Sequence, residues 1–124
     1  MGMVYGYARV STTKQKVERQ VENIKEYDEN AIIITEAYTG TKMDRPKWNK
    51  FYKRVKAGDT IIFDEVSRMS RDADEGFETY KELFERGVNL VFLKESTLNT
   101  DNFRKTVQIA MTDSDVDLIL EGIN

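Results

Sequence analysis

Four arginines and one serine have the residue types and positions that suit chemistry on a phosphoryl group. The arginines are Arg9, Arg45, Arg68 and Arg71, and the serine is Ser11. A guanidinium suits phosphate oxygens because its planar fork of donors is permanently charged. Arginines around a serine would stabilise the charge that develops as the hydroxyl attacks phosphorus. The inventory therefore fits serine transesterification on a phosphodiester.

The composition removes several other kinds of chemistry. The chain has 124 residues with no histidine and no cysteine, so it lacks an imidazole base, a thiolate nucleophile, disulfides and most zinc sites. An acyl-transfer triad has no general base here, and there is neither a Walker loop nor a GxGxxG motif after the first strand. Asp64 and Glu65 are weak candidates for a metal site, because neighbours on a strand face opposite ways. We predict no metal and no cofactor.

The same residues also have ordinary structural interpretations. Ser11 directly follows an apolar strand and is typical of a helix cap. Arg68 and Arg71 could be solvated residues of a capping turn, paired with nearby carboxylates. The carboxylates are Asp64, Glu65 and Asp72. Arg9 ends an otherwise apolar strand, where a buried guanidinium needs a carboxylate such as Glu36, an anionic ligand, or both.

Strand-like and helix-like segments alternate along the chain. Runs of β-branched and aromatic residues predict strands at 4–10, 31–35, 60–66 and 89–93. Helical periodicity predicts helices over roughly 14–28, from Pro46 to about Val55, and from Ala73 to just before Gly87. We expect an α/β domain with a mainly parallel central sheet of four or five strands and helices on both faces. Ligands of such sheets bind outside the carboxyl ends of the strands, where the arginines lie.

Local patterns give further expectations about burial and helix ends. The continuous β-branched run at 31–35 predicts a strand buried on both faces. Thr12 and Gln15 could form a capping box, and Gly58 is expected at the C′ position of the second helix. The third helix carries five apolar residues on one predicted face: Ala73, Phe77, Tyr80, Leu83 and Phe84. A long polar loop is expected over 38–45, and short helices near Phe103 and after residue 113.

Charge and hydropathy limit the partners. The chain has 19 basic and 22 acidic residues and a net charge of −3, which argues against a protein that coats nucleic acid over its whole surface. A local basic patch remains compatible with these numbers. No apolar run approaches the roughly 18 residues of a membrane span, and no secretion signal is present. We expect a soluble, cytoplasmic protein with no membrane partner.

The residues named above resemble the catalytic domain of the serine site-specific recombinases, the resolvase and invertase family, over roughly residues 3–112. The resemblance rests on Tyr7-Ala8-Arg9-Val10-Ser11-Thr12 with Gln15 and Gln20, on Thr39-Gly40 with Asp44-Arg45, and on Ser67-Arg68-Met69-Ser70-Arg71-Asp72. It implies that Ser11 attacks a DNA phosphodiester and leaves a 5′-phosphoseryl link and a free 3′-hydroxyl. The reverse step would rejoin exchanged strands without ATP or a metal.

The resemblance also implies roles for individual side chains. Arg9, Arg68 and Arg71 would contact the scissile phosphate, and Arg45 would assist from a mobile loop. Arg68 or Arg71 would help to protonate the leaving 3′-oxygen. The substrate-positioning residues would be Gln15, Gln20, Glu36, Thr39 and Ser67. Small resolvases commonly carry Asp, Ser and Asp where this chain has Glu36, Thr39 and Ser67, so this chain supplies no carboxylate at position 67.

The partners implied by the resemblance are DNA and further copies of the chain. The intact protein would be a homo-oligomer, a dimer that forms a tetramer in the synaptic complex. Ser67 and the ending at 115–124 look more like the larger recombinases of mobile elements. We expect a catalytic domain at 1–112 and, at 113–124, the start of a truncated C-terminal helix, with the DNA-binding domain absent. The apolar residues of that ending, Leu118, Ile119, Leu120 and Ile123, are expected to contact a partner subunit.

Two alternatives from other functional classes remain. The first is a non-catalytic, DNA-associated regulatory module that retains the fold, against which the presence of Ser11 and all four arginines argues. The second is a phosphatase-like enzyme that acts on small phosphate esters at the same strand ends. Metal-dependent turnover would favour the second alternative, whereas recombination chemistry should survive EDTA.

Overall fold

The computed structural model describes residues 2–10, 14–37, 45–70 and 72–104, with only the backbone described at 14–16. Strands and helices alternate as β1 (Val4–Val10), α1 (Lys14–Tyr27), β2 (Ile32–Ala37), α2 (Pro46–Arg54), β3 (Thr60–Phe63), α3 (Ala73–Glu85) and β4 (Asn89–Phe92). Single 3₁₀ turns lie at Val66–Arg68 and Ser96–Leu98, and residues 100–104 are helical. Within these residues no helix is long and apolar enough to cross a bilayer.

The four strands form one parallel sheet in the order β2-β1-β3-β4. The chain first moves outward from β1 to β2 and then returns past β1 to β3. Because crossovers between parallel strands are right-handed, this reversal puts α1 on one face and α2 and α3 on the other. The predicted parallel α/β fold with helices on both faces is confirmed. The reversal falls between β1 and β3, and open α/β sheets bind ligands in the crevice at that point.

The two faces of the sheet have different cores. The face under α2 and α3 is aromatic, with Tyr7 4.9 Å from Trp48 and Phe63 stacked 5.3 Å from Phe92, measured between ring centroids. The opposite face is aliphatic and is built around Ile24 of α1. A Cβ atom at Gly6 would lie 2.5 Å from Ile24 Cγ2. The glycine therefore lets α1 approach the backbone of β1.

The starts of α2 and α3 follow from local sequence. Pro46 is the first residue of α2, where its fixed φ suits a helix and its missing N–H is not needed. Asp72 caps α3, and its Oδ1 accepts hydrogen bonds from the backbone N–H groups of Asp74 at 2.8 Å and Glu75 at 3.4 Å. Pro46 and Asp72 therefore set where α2 and α3 begin.

Two strand predictions are wrong in detail. The strand at 31–35 was expected to be buried on both faces, but β2 is an edge strand, its Ile32 is 44% exposed, and it runs on to Ala37. A β-branched run predicts a strand without specifying its place in the sheet. The third strand, expected to reach Val66, ends at Phe63. The chain turns at 64–65 and enters the 3₁₀ turn that carries Ser67 and Arg68.

The helix ends are partly as predicted. Gly87 follows α3 with a φ of +83°, which confirms the predicted end of that helix. Gly58 is not the C′ residue of α2, because Val55 already leaves the helix in an extended conformation; Gly58, at φ +91°, instead forms the turn into β3. Phe77 of the predicted apolar face is 65% exposed, although Leu83 is buried. The predictions for Thr12, for 38–44 and for helices beyond residue 104 lie outside the described residues.

Candidate active site

The end of β1 is held by a side chain of α1. Gln20 Nε2 donates to the carbonyl oxygen of Arg9 at 2.9 Å, and its Oε1 accepts from the N–H of Arg9 at 3.0 Å. Gln20 is only 1% exposed. Since β3 stops opposite Tyr7, the side-chain amide supplies the hydrogen bonds that a longer β3 would have made. The backbone two residues before Ser11 is therefore fixed on α1.

The side chain of Arg9 joins β1 to the turn after β3. Arg9 is buried, and its Nη2 donates to the carbonyl oxygen of Ser67 at 2.5 Å. A buried guanidinium needs hydrogen-bond acceptors to offset its lost hydration. The acceptor of this bond is a backbone carbonyl, which brings Arg9 next to the residue that precedes Arg68.

Glu36, at the end of β2, binds the start of α2. Its carboxylate accepts hydrogen bonds from the Tyr7 hydroxyl at 2.6 Å and from the backbone N–H groups of Lys47 at 2.9 Å and Trp48 at 3.1 Å. The first N–H groups of a helix lack partners within the helix, and a carboxylate there also suits the helix dipole. Burial, together with this carboxylate, raises the pKa of Tyr7 well above its ordinary value. Glu36 is predicted in the site from the sequence, whereas the contribution of Tyr7 is not.

Arg45 lies immediately before α2 and is buried. Its Nη1 donates to the carbonyl oxygen of Met69 at 2.5 Å, and its Nη2 lies 3.3 Å from Glu75 Oε1 of α3. The guanidinium carbon is 5.2 Å from the centroid of the Trp48 ring. The side chain thus ties α2 to α3 and to the turn after β3. Residues 38–44 of the loop from which it was expected to act lie outside the described residues.

Arg68 is held less tightly, at the end of the 3₁₀ turn. Its side chain is 24% exposed, and its Nη2 lies 3.7 Å from Glu65 Oε1. Its Nε is buried and has no hydrogen-bond partner in the described part of the chain. The same Glu65 oxygen accepts a hydrogen bond of 2.5 Å from the Ser67 hydroxyl. This hydrogen bond is the largest cause of a lowered Glu65 pKa, with smaller contributions from Lys94 and Arg68.

A lysine lies between the two carboxylates that follow β3. Lys94 Nζ is 3.3 Å from Asp64 Oδ2 and 3.3 Å from Glu65 Oε2. Asp64 is buried and also accepts a hydrogen bond from Asn23 Nδ2 at 2.8 Å. An ammonium group therefore lies between the pair considered above as weak metal ligands. Across the described residues, no cluster of three or more potential ligands suits a metal ion.

The structure brings together part of the residue set predicted from the sequence. Arg9, Gln20, Ser67 and Arg68 meet at the carboxyl ends of β1 and β3, while Arg45 and Glu36 lie around the start of α2. Ser11, Thr39 and Arg71 lie outside the described residues, as does the side chain of Gln15. The fold and the site define an α/β domain with arginines at the point where an anionic group such as a phosphate can bind.

Comparison with known proteins identifies the family. The family model described as "Resolvase, N terminal domain" matches residues 4–117. The chain is 31% identical to a resolvase from Clostridium perfringens, over 94% of this chain and 66% of that protein. It is 29% identical to the transposon Tn917 resolvase of Enterococcus faecalis, over 98% of this chain and 67% of that protein. The chain belongs to the resolvase family, and it spans about two thirds of the length of these relatives.

Solved structures support the fold. A serine recombinase from Sulfolobus solfataricus matches with a TM-score of 0.59 at 22% identity, over 100% of this chain and 89% of that chain. A resolvase family site-specific recombinase from Streptococcus pneumoniae matches with a TM-score of 0.57 at 18% identity, over 99% and 97% of the two chains. At these identities the likeness establishes the shared fold alone.

Proposed function

We propose that this domain is the catalytic part of a site-specific DNA recombinase in which Ser11 is the nucleophile. One arrangement carries the proposal: the backbone of Arg9 is clamped by Gln20 two residues before Ser11, and its guanidinium reaches the turn that presents Arg68. The clamp fixes the backbone of Arg9 at the carboxyl end of β1. The arginines supply positive charge at the same strand ends. Membership of the resolvase family supports the same conclusion.

The proposed reaction is a transesterification. The Ser11 oxygen forms a bond to phosphorus, the bond from phosphorus to the 3′-oxygen breaks, and the 5′ end stays linked to the serine. The serine hydroxyl loses its proton, and the departing 3′-oxygen gains one, with Arg68 or Arg71 assisting. Arginines stabilise the charge on the phosphoryl oxygens during transfer. Because the ester bond is conserved in the intermediate, the reverse step joins exchanged strands without ATP.

The described contacts support distinct positioning roles. Gln20 and Ser67 hold Arg9 through its backbone and its side chain respectively. Glu36 fixes the start of α2, and therefore the position from which Arg45 reaches the turn after β3. Gln15 and Thr39 belong to the same proposal through the family resemblance alone. The predicted domain division at residues 112–113 and a cytoplasmic location also remain predictions.

The proposed partners are DNA and a second copy of the chain, as a dimer that pairs into a tetramer during synapsis. A groove of about 780 Å³ beside α3 supports the second copy. Its apolar lining includes Val66, Met69, Phe77, Tyr80, Leu98 and Phe103. The chain continues from Phe103 into further apolar residues such as Val107 and Met111. Exposed apolar surfaces mark interaction sites, and a two-fold dimer pairs like surfaces. A protein that sediments as a monomer with and without DNA would contradict this assembly.

The first experiment tests Ser11 directly. The full-length protein is mixed with DNA from its own mobile element, the reaction is quenched with SDS, and covalent protein–DNA adduct is measured with and without EDTA. We expect an adduct that survives EDTA and is absent from Ser11→Ala. Ser96→Ala is the matched control, since Ser96 is an exposed serine in the turn after β4. Adduct from Ser11→Ala would place the nucleophile elsewhere, and DNA binding without adduct would favour a non-catalytic module.

A further inference from the structure

We propose that Lys94 is a positioning residue that keeps the Glu65 carboxylate from closing on Arg68, so that this guanidinium stays available to the phosphate. The inference rests on the proposed function, because it assigns a task to a contact of the same site. Lys94 lies beyond β4, and no motif in the sequence singles it out.

The two oxygens of Glu65 have different partners. Oε1 accepts the short hydrogen bond from the Ser67 hydroxyl and lies 3.7 Å from Arg68 Nη2. Oε2 lies 3.3 Å from Lys94 Nζ. A fully formed charge-assisted hydrogen bond between a guanidinium and a carboxylate measures roughly 2.7 to 2.9 Å. The contact between Glu65 and Arg68 is therefore loose, while Ser67 and Lys94 hold the carboxylate.

Arg68 retains a donor that a second acceptor could use. Its Nε is buried and makes no hydrogen bond to any described residue, whereas buried polar groups in proteins are normally paired. A carboxylate that approached Nε and Nη2 together would form the bidentate pair typical of arginine. A phosphate would compete for the same two donors once the side chain turns the buried Nε towards the solvent. Glu65 is thus a competitor of the phosphate for Arg68, and its position decides which of the two binds.

Lys94 is itself fixed by its surroundings. Its backbone N–H donates to the carbonyl oxygen of Asp64 at 3.0 Å, and its ammonium group contacts the buried carboxylate of Asp64. The carboxylate of Asp64 is also bound by Asn23. These contacts hold Lys94 beside Glu65, although 55% of its side chain is exposed. The negative charge of Asp64 is the main cause of a raised Lys94 pKa, so the lysine remains cationic.

The test compares four variants of the full-length protein in the covalent-adduct assay: Lys94→Met, Glu65→Gln, the double variant, and Lys50→Met as a control. Lys50 is an exposed lysine on α2, so its loss removes the same charge elsewhere. We expect Lys94→Met to slow adduct formation about tenfold, which is typical of coupling between residues in contact. The rate of adduct formation by Lys50→Met should stay within about twofold of the wild type, because residues that are far apart and share no partner are weakly coupled. The double variant should recover to the rate of Glu65→Gln.

The recovery separates positioning from simple structural support. Lys94→Met also removes a partner of Asp64, and the double variant leaves that defect in place. A structural role therefore predicts that the double variant is as slow as Lys94→Met, and this result would overturn the inference. An unchanged rate in Lys94→Met would overturn it as well.

A second readout does not depend on catalysis. The NMR signal of the Arg68 Nε–H group should shift in Lys94→Met and return towards its original position in the double variant. An Arg68 signal that does not move would refute the inference even if the wild type forms no adduct. Absence of a Ser11-dependent adduct in the wild type, combined with the expected shift, would instead refute the proposed function and leave the Lys94 contact standing.

Discussion

The start of α2 and the turn after β3 each place an arginine beside a carboxylate, but they use it differently. Arg45 is buried and gives its donors to the carbonyl of Met69 and to Glu75. Arg68 is partly exposed, loosely paired with Glu65, and has a buried Nε with no acceptor among the described residues. An arginine whose donors bind the protein stabilises the fold. An arginine that lies beside a ligand crevice and has a donor without an acceptor is suited to bind an anion.

The surroundings explain this difference. A cation before a helix N-terminus is disfavoured by the helix dipole, so Arg45 needs compensation where it lies. The carboxylate of Glu36 binds the first N–H groups of α2, and Glu75 lies against the guanidinium. Around Arg68 the nearest carboxylate is shared with Ser67 and Lys94. The protein therefore neutralises the first arginine more completely than the second.

The largest effect expected from this comparison is on catalysis. Arg68→Ala should slow covalent-adduct formation by about a hundredfold or more, because a donor aimed at developing charge is worth that much. The free energy of unfolding should fall by about 1 kcal/mol or less, because the side chain is only partly exposed and its contact with Glu65 is long. Arg54→Ala on the exposed side of α2 is the matched control. We expect the same catalytic loss for Arg71→Ala, and near-normal rates in both would refute the assignment.

The next effect is on stability. Arg45→Met keeps much of the aliphatic stem over Trp48 but removes the donors to Met69 and Glu75. We expect a loss of about 2 kcal/mol in the free energy of unfolding, measured with urea, because a buried carbonyl loses a charged donor. Glu75→Gln should cost less than about 1 kcal/mol, since this partner is half exposed. A stable Arg45→Met variant that fails to form adduct would instead assign Arg45 to DNA contact.

The sequence predicts the alternation of strands and helices well because each element carries its own periodicity. The predicted parallel arrangement also places the arginines near the carboxyl ends of the strands. The prediction that β2 is buried on both faces was wrong. A run of isoleucines predicts a strand but does not tell whether that strand lies in the middle or at the edge of the sheet. The end of β3 was also misplaced. Asp64 and Glu65 continue the chain beyond Phe63, but their carboxylates bind Lys94 instead of extending the sheet.

Side-chain partners were harder to predict than elements. The hydrogen bond from Arg9 to the carbonyl of Ser67 joins residues 58 positions apart, and carbonyl acceptors leave no signature in a sequence. Lys94 was missed for a similar reason, since it lies beyond β4 and meets Glu65 only because β3 and β4 are adjacent. Gln20 was implied by the family resemblance, but its contacts depend on the close approach of α1 at Gly6. Long-range packing determines these pairs.

The smallest expected effect is on the pH dependence of stability, through the Glu65 carboxylate beside Arg68. The pKa of Glu65 is lower in the folded chain than its ordinary value, mainly because Ser67 donates to the carboxylate. Glu65 therefore adds to the free energy of unfolding. This contribution is fully present above the pKa that Glu65 has in the unfolded chain, and it is lost as pH falls through the lower pKa that Glu65 has in the folded chain. Wild type should exceed Glu65→Gln in unfolding free energy at pH 7 by about 1 kcal/mol or less, and the difference should shrink towards pH 3. Ser67→Ala should raise the Glu65 pKa, measured by carboxyl NMR. An ordinary Glu65 pKa in the wild type would mean that Ser67 and Lys94 do not hold this carboxylate in solution.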